Sequence, residues 1–261
     1  MYEFLRVSHE GGVTVLTLHR PQAYNAWHHP MRLEIVDALR QARDDESVRA
    51  IVLTGSGKEA FSAGQDLAEA QQFDADAAVH WIDDWNLFYG TLRDIEKPVV
   101  AAINGVAAGS AFQVTLLCDL RVGHPGTRMG QPEIDSGIPS TLGPWLMWDI
   151  LGKARTVELW FTGRMVDGDE AHRLGLLTEL VPQDRVLPRA LELAMELAAK
   201  PPLAMRLNKR RLREITEAGF REAEDAGRRY QAEAFGSGEP QRMMDRFFAE
   251  RAARKERSGA C

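Results

Sequence analysis

Cysteine is scarce in this sequence: Cys118 and Cys261 are the only two in 261 residues. That is too few for a disulfide framework, so a reducing, cytoplasmic setting is expected. Long apolar runs are missing as well. No stretch approaches the roughly 20 residues of a spanning helix, which argues against a membrane partner. Residues 1–18 hold neither a basic leader nor an uninterrupted apolar segment, so the mature chain is expected to start near Met1. A basic surplus is also absent. The net charge of −6 speaks against a nucleic-acid partner, although residues 209–213 form a local basic run that reads as a helix face able to contact a phosphate. Solenoid repeats and low-complexity tracts are lacking. His28 and His29 are adjacent, without metal-ligand spacing, and read as solvated, so no metal site is expected. Ser62 lies outside a nucleophile elbow, which disfavours a serine hydrolase, and the glycine-rich segments fail the dinucleotide and P-loop patterns.

What is present is an ordinary globular composition, 44% hydrophobic and 27% charged. Residues 13–18 alternate Thr with aliphatic side chains and end before Pro21, which predicts a strand. Helical spacing of Met31, Ile35, Ala38, Leu39 and Ala42 predicts a helix over 31–42, followed by a buried strand at 50–54. Further strands are expected at 98–103 and 116–122. Helices are expected at 142–151, 154–161 and 169–174, then a strand at 176–181 and a helix running to residue 200. Strands alternating with helices imply an α/β layered architecture. Pro201-Pro202 marks the clearest boundary, giving a core over 1–200 and a helical region over 201–261. The latter places apolar residues such as Leu207, Leu212, Ile215 and Phe220 among Arg and Glu, and such helices need a partner surface.

Two segments put glycine where a strand gives way to a turn or helix: Phe61-Ser-Ala-Gly-Gln-Asp-Leu67 and Asn104-Gly-Val-Ala-Ala-Gly-Ser-Ala-Phe112. Glycine permits a tight turn and close approach of a ligand to the backbone, and a helix starting near Gly109 aims free N–H groups at an anionic atom. Two such donors can hold a developing enolate oxygen. Either loop alone is an ordinary strand-to-helix turn; the pair, in this order, points further.

The segments Arg20-Pro-Gln-Ala-Tyr-Asn25, 61–67, 104–111 and Gly130-Gln-Pro-Glu-Ile134 resemble successive signatures of the crotonase (enoyl-CoA hydratase/isomerase) family. Phe161-Thr-Gly-Arg-Met165, Ala171-His-Arg-Leu-Gly-Leu-Leu177 and Val181-Pro182 continue the likeness over essentially the whole chain. The resemblance implies the crotonase fold, repeated ββα units forming a spiral core with a C-terminal α-helical trimerisation region, and a homotrimer or homohexamer. It implies an acyl-CoA thioester substrate and no cofactor beyond that coenzyme A moiety. It makes the backbone N–H groups of Gln65 and Ser110 the oxyanion donors, and sets Ala23, Gln65, Asp66 and Leu67 near the adenine end of coenzyme A. Asp66 by itself reads as a helix cap. Family members usually carry glycine where this chain has Ser110 and Ala111.

A hydratase of this family presents two glutamates beside the hole. Here Glu133 occupies the later position, after Gln131-Pro132, and the earlier one is Gln113. An amide can orient water or a carbonyl but does not titrate near neutrality. Shifting a double bond from the β,γ to the α,β position requires one base, so Glu133 suffices for isomerisation of 3-enoyl to 2-enoyl-CoA. The alternatives are a hydratase in which Gln113 positions the water and, in another class, an acyl-CoA-binding protein with little catalysis. The same hole would also serve a decarboxylase, thioester hydrolase or C–C lyase. Asp135 ranks second to Glu133 because Gly137-Ile-Pro-Ser140 is a shortened version of a family loop that could fold inward. Asp119 and Arg121 are expected to form a buried ion pair. Trp81, Trp85, Phe88 and Tyr89 make one aromatic helix face, which reads as core. By the resemblance that region borders the acyl pocket, with Trp81, Trp85 and Ile138 as candidate lining.

Overall fold

The computed structural model describes residues 2–259, with side chains to residue 253; Cys261 and Met1 lie outside the described residues. Along the chain run β1 (Leu5–Glu10), β2 (Val13–Leu18), α1 (His29–Asp44), β3 (Ala50–Gly55), β4 (Ala60–Ser62), α2 (Leu67–Ala70), α3 (Ala75–Arg93), β5 (Val99–Ala102), β6 (Val106–Ala108) and α4 (Ser110–Leu117). Then follow β7 (Leu120–Gly123), β8 (Arg128–Gly130), α5 (Leu142–Thr162), β9 (Val166–Asp167), α6 (Gly168–Arg173), β10 (Glu179–Leu180), α7 (Val186–Ala198), α8 (Pro202–Gly236) and α9 (Glu239–Gly259).

The strands fall into two sheets, ordered β1-β2-β3-β5-β7-β10 and β4-β6-β8-β9. Successive ββα units therefore send their first strand (β3, β5, β7) to the large sheet and their second (β4, β6, β8) to the small one, which is the spiral repeat expected from the resemblance. Within the large sheet, side chains alternate faces. Val13, Val15, Ala50, Val52, Val100 and Ala102 pack with Val186, Ala190 and Ala194 of α7. Their neighbours Leu16, Leu18, Ile51, Leu53, Val99 and Ala101 enter the main core with α1 and α3. Both faces being covered explains why β3 is buried at every position and shows no polar alternation.

Four elements differ from the sequence expectation. Residues 116–117 end α4 and only 120–123 are strand, because the apolar run there spans a helix end and a strand and has no period to separate them. The two helices expected over 142–161 form one α5, broken at Gly152 with φ +67°. The strand expected at 176–181 shrinks to β10, two residues beside β7. β1, largely exposed and without apolar alternation, was not foreseen.

α8 folds back on its own chain. Phe220, Ala223 and Phe235 of α8 and Met244 of α9 belong to the main core, with α8 lying along α3 and α5. The basic run on α8 meets acids of the same chain: Lys209 with Asp119 at 2.7 Å, Arg210 with Glu96 at 2.8 Å and Arg213 with Asp94 at 2.9 Å. These contacts leave no cluster of unpaired cations for a phosphate. They also correct the expected Asp119–Arg121 pair, since Arg121 donates instead to the backbone oxygens of Cys118, Leu176 and Thr115. No helix among the described residues is long and apolar enough to cross a membrane.

Candidate active site

The small sheet positions the site. β4, β6 and β8 pair in parallel, with Ser62 beside Ala107 and Ala108 beside Gly130, so the loops leaving all three emerge at the same end. Those loops carry Gly64-Gln65, Gly109-Ser110 and Gln131-Pro132-Glu133. Gly109 N–H donates to Gly130 O at 2.9 Å, locking the second loop to the third.

Glycine is required at both turns. Gly64 has φ +85°, and a Cβ there would sit 2.4 Å from Ala108 O; Gly109 has φ +59°, and its Cβ would sit 3.2 Å from the Glu133 carboxyl. Gln65 bridges Trp27 in parallel, and the bonds of that bridge use Trp27 N–H to Gly64 O and Asp66 N–H to Trp27 O. The Gln65 N–H is thereby left without an acceptor among the described residues, and the Ser110 N–H, at the first turn of α4, is likewise unpaired.

The Gln65 side chain is held away from its own N–H. Its Oε1 accepts from Trp81 Nε1 (2.9 Å), Trp85 Nε1 (3.2 Å) and Arg32 Nη1 (3.1 Å), and its Nε2 donates to Glu69 at 2.7 Å. Arg32 is itself buried, paired with Glu69 at 2.9 Å and set over the Trp85 ring. The aromatic face of α3 therefore does more than fill core, because two of its indoles fix the loop that bears a candidate donor.

Glu133 lies on a short 3-10 turn, Pro132–Ser136, half-buried with its carboxyl toward Gly109. Burial pushes its pKa up to about 7, opposed by hydrogen bonds from the backbone and from Gln113. Gln113 Nε2 donates to Glu133 Oε1 at 3.0 Å, while its Oε1 accepts from Tyr89 O–H at 2.8 Å. Burial and the Glu133 charge hold the Tyr89 hydroxyl well above its ordinary pKa, so it remains a donor. With its amide nitrogen oriented toward Glu133, buried Gln131 donates to Glu133 at 3.1 and 3.3 Å and to Ser140 Oγ at 2.7 Å.

Tyr89, Gln113, Glu133 and Ser140 line one cavity of about 140 Å³. It brings together Gln65, Leu67, Trp81, Trp85, Ser110, Gln113, Glu133 and Ile138 of the residues singled out from sequence. Ala23 and Asp66 are not among its lining residues. Ala23 ends a 3-10 turn whose next residue, Tyr24, accepts from Ala63 N–H at 2.9 Å, so it adjoins the first loop. Asp66 caps α2 through Ala68 N–H (3.0 Å) and pairs with Arg20 at 2.6 Å. Asp135 is exposed and does not reach the cavity, because the 3-10 turn sends positions 133 and 135 in different directions. The histidines are not simply solvated: His28 is half-buried edge-on to Phe4 at 4.4 Å, and the His29 ring bonds Asp84 at 2.6 Å. Sequence reasoning missed Arg32, Gln131 and Ser140, together with Asn86, Glu224, Gly227 and Gln231. The signals available were a lone Arg beside the apolar stripe of α1 and the two motifs that contain Gln131 and Ser140.

The family model for enoyl-CoA hydratase/isomerase matches residues 8–256. A crotonyl-CoA hydratase of Syntrophomonas wolfei is 33% identical, covering 90% of this chain and 89% of its own. A 2,3-dehydroadipyl-CoA hydratase of Escherichia coli is 34% identical over 83% of this chain and 84% of its own. Among solved structures, an enoyl-CoA hydratase/isomerase from Xanthobacter autotrophicus superposes with a TM-score of 0.88 at 27% identity, covering 100% of this chain and 99% of that one. With two mixed, mainly parallel sheets, paired glycine turns and a sequence match along nearly its full length, the chain belongs to the enoyl-CoA hydratase/isomerase family.

Proposed function

We propose that the protein moves a double bond of an enoyl-CoA thioester from the β,γ to the α,β position, with Glu133 as the proton carrier. The observation that carries this reading is the asymmetry beside the two unpaired N–H groups: one carboxyl set against Gly109, that of Glu133, and one amide, Gln113, already engaged by Tyr89 and Glu133. The Glu133 carboxylate takes the α-proton, and the C–H electrons pass to the thioester oxygen, held by the Gln65 and Ser110 N–H groups. The carbonyl then reforms as the α,β double bond is made and the γ-carbon takes the proton back. A pKa of about 7 suits a group that must both accept and return a proton near neutrality. Each backbone donor contributes on the order of 10²–10³ in rate. Coenzyme A reaches the hole past Leu67, with Ala23 and Asp66 toward its adenine end.

The relatives named as hydratases favour a second reading, in which Glu133 activates water and Gln113 orients it. A panel of 2-enoyl- and 3-enoyl-CoA thioesters with product masses separates the two. Conversion of 3-enoyl-CoA without mass change is expected; rapid addition of water to 2-enoyl-CoA would select hydration. Tight thioester binding with no α-proton exchange in deuterated water would make the protein a binder only. On the first half of α8, Leu203, Leu207, Leu212 and Ile215 are exposed, and we infer that they pack on a neighbour in a trimer or pair of trimers. A monomer in sedimentation would remove that inference.

A further inference from the structure

The α8 side of the cavity is more polar than an alkenyl chain requires. α3 and α8 run antiparallel, with Arg93 bonded to Thr216 and Glu217 at one end and Arg228 to Asp83 at the other, a register that sets Asn86 opposite Glu224. Glu224, Gly227 and Gln231 recur at i, i+3 and i+7, share one stripe of α8, and line the cavity with Asn86. Gln231 is 3% exposed; its Nε2 donates to Pro139 O at 2.6 Å, which fixes the amide and leaves Oε1 buried without a donor. Asn86 Nδ2 is buried without an acceptor. Glu224, 6% exposed, accepts at Oε2 from Arg221 at 3.0 Å, and no described residue donates to its Oε1.

Buried polar groups in native proteins are nearly always paired, because an unmet one has lost its water for nothing. A ligand that meets these groups must offer both a donor and an acceptor. The sign of the charge narrows it further: a carboxylate would be repelled by Glu224, and a cation would find that charge already matched by Arg221. A neutral hydroxyl satisfies both conditions. We propose that this wall is a subsite for an acyl group bearing a hydroxyl, which donates to Glu224 and accepts from Asn86. Gln231, two turns along α8, offers a second acceptor to a longer chain. The assignment rests on the reading that sets the thioester oxygen at Gln65 and Ser110.

The test uses matched 3-enoyl-CoA thioesters, with and without a terminal hydroxyl, at several chain lengths. For at least one length the wild type is expected to favour the hydroxylated member ~10-fold or more in kcat/KM, mainly through KM. Asn86→Leu and Glu224→Leu should each lower the hydroxylated-to-plain ratio of kcat/KM by about 10-fold, whatever they do to the plain substrate. Equal or reversed preference at every length, or variants that slow both substrates alike, overturns the subsite. If neither thioester is turned over, the isomerase reading fails. Dissociation constants of the saturated hydroxyacyl- and acyl-CoA pair then decide the subsite by the same criterion. If the variants do not fold, the wild-type preference decides alone.

Discussion

Replacing Glu133 with Gln should stabilise the protein while abolishing its chemistry, and the gain should depend on pH in a defined way. The carboxyl titrates near an ordinary 4.5 in the unfolded chain and near 7 in the fold. Below the unfolded value both states hold the proton, so wild type and variant differ only by local packing. As pH rises from 4.5 towards 7, the unfolded chain releases its proton and the folded one does not, so the wild type loses stability relative to the variant. Above 7 both forms are ionised and the gap stops growing. Taken at face value the two pKa values correspond to ~3 kcal/mol. Part of the carboxyl faces the water-accessible cavity, so a gap of about 1–3 kcal/mol at pH 8 is expected. Urea unfolding of both proteins from pH 4 to pH 8.5 measures it through the midpoints, with unchanged slopes as a check on cooperativity. A gap independent of pH, or a wild type that is the more stable at pH 8, would refute the claim that burial rather than a charge partner sets the Glu133 pKa. The same titration governs activity: kcat/KM should fall below a pKa near 7, because the base must be ionised to take the α-proton.

Gln113→Glu sets a second carboxyl about where the amide now lies 3.0 Å from Glu133 Oε1, and should let 2-enoyl-CoA take up water, detected as a mass gain. Failure to gain any hydration would argue that more than the missing glutamate excludes it. Tyr89→Phe leaves Gln113 Oε1 buried without its donor; a stability loss of ~1–3 kcal/mol and a lower kcat are expected in unfolding and steady-state assays. Gly109→Ala forces a Cβ against Glu133 in a left-handed turn, and should cost about 1–3 kcal/mol in stability and lower α-proton exchange at least ~100-fold. An active alanine variant would show that the carboxyl position is not set by this turn.

Much of the large sheet was legible in the sequence because the signals were local. Residues 13–18 and 50–54 carried their own strand patterns, and the spacing from Met31 to Ala42 carried its helix. Where an apolar run crossed from α4 to β7, local pattern had nothing to separate them, and the boundary failed. The two glycine turns and the single glutamate were equally visible, since positive-φ turns favour glycine and the sequence carries Gly64 and Gly109 at both.

Contacts between distant segments were not legible. Lys209 pairs with Asp119 across 90 positions, and nothing in either neighbourhood announces it. The same holds for the bond from Tyr89 to Gln113 and for the convergence of two indoles and Arg32 on Gln65. Sequence by itself determined which residue types stand at the turns and set a glutamate after Gln131-Pro132 with an amide at position 113. Only the tertiary structure decided what surrounds that group, because burial pushes the Glu133 pKa toward neutrality and burial is a property of packing. It likewise brought a polar stripe of the C-terminal helix into the cavity, which depends on where α8 docks and on no motif within it.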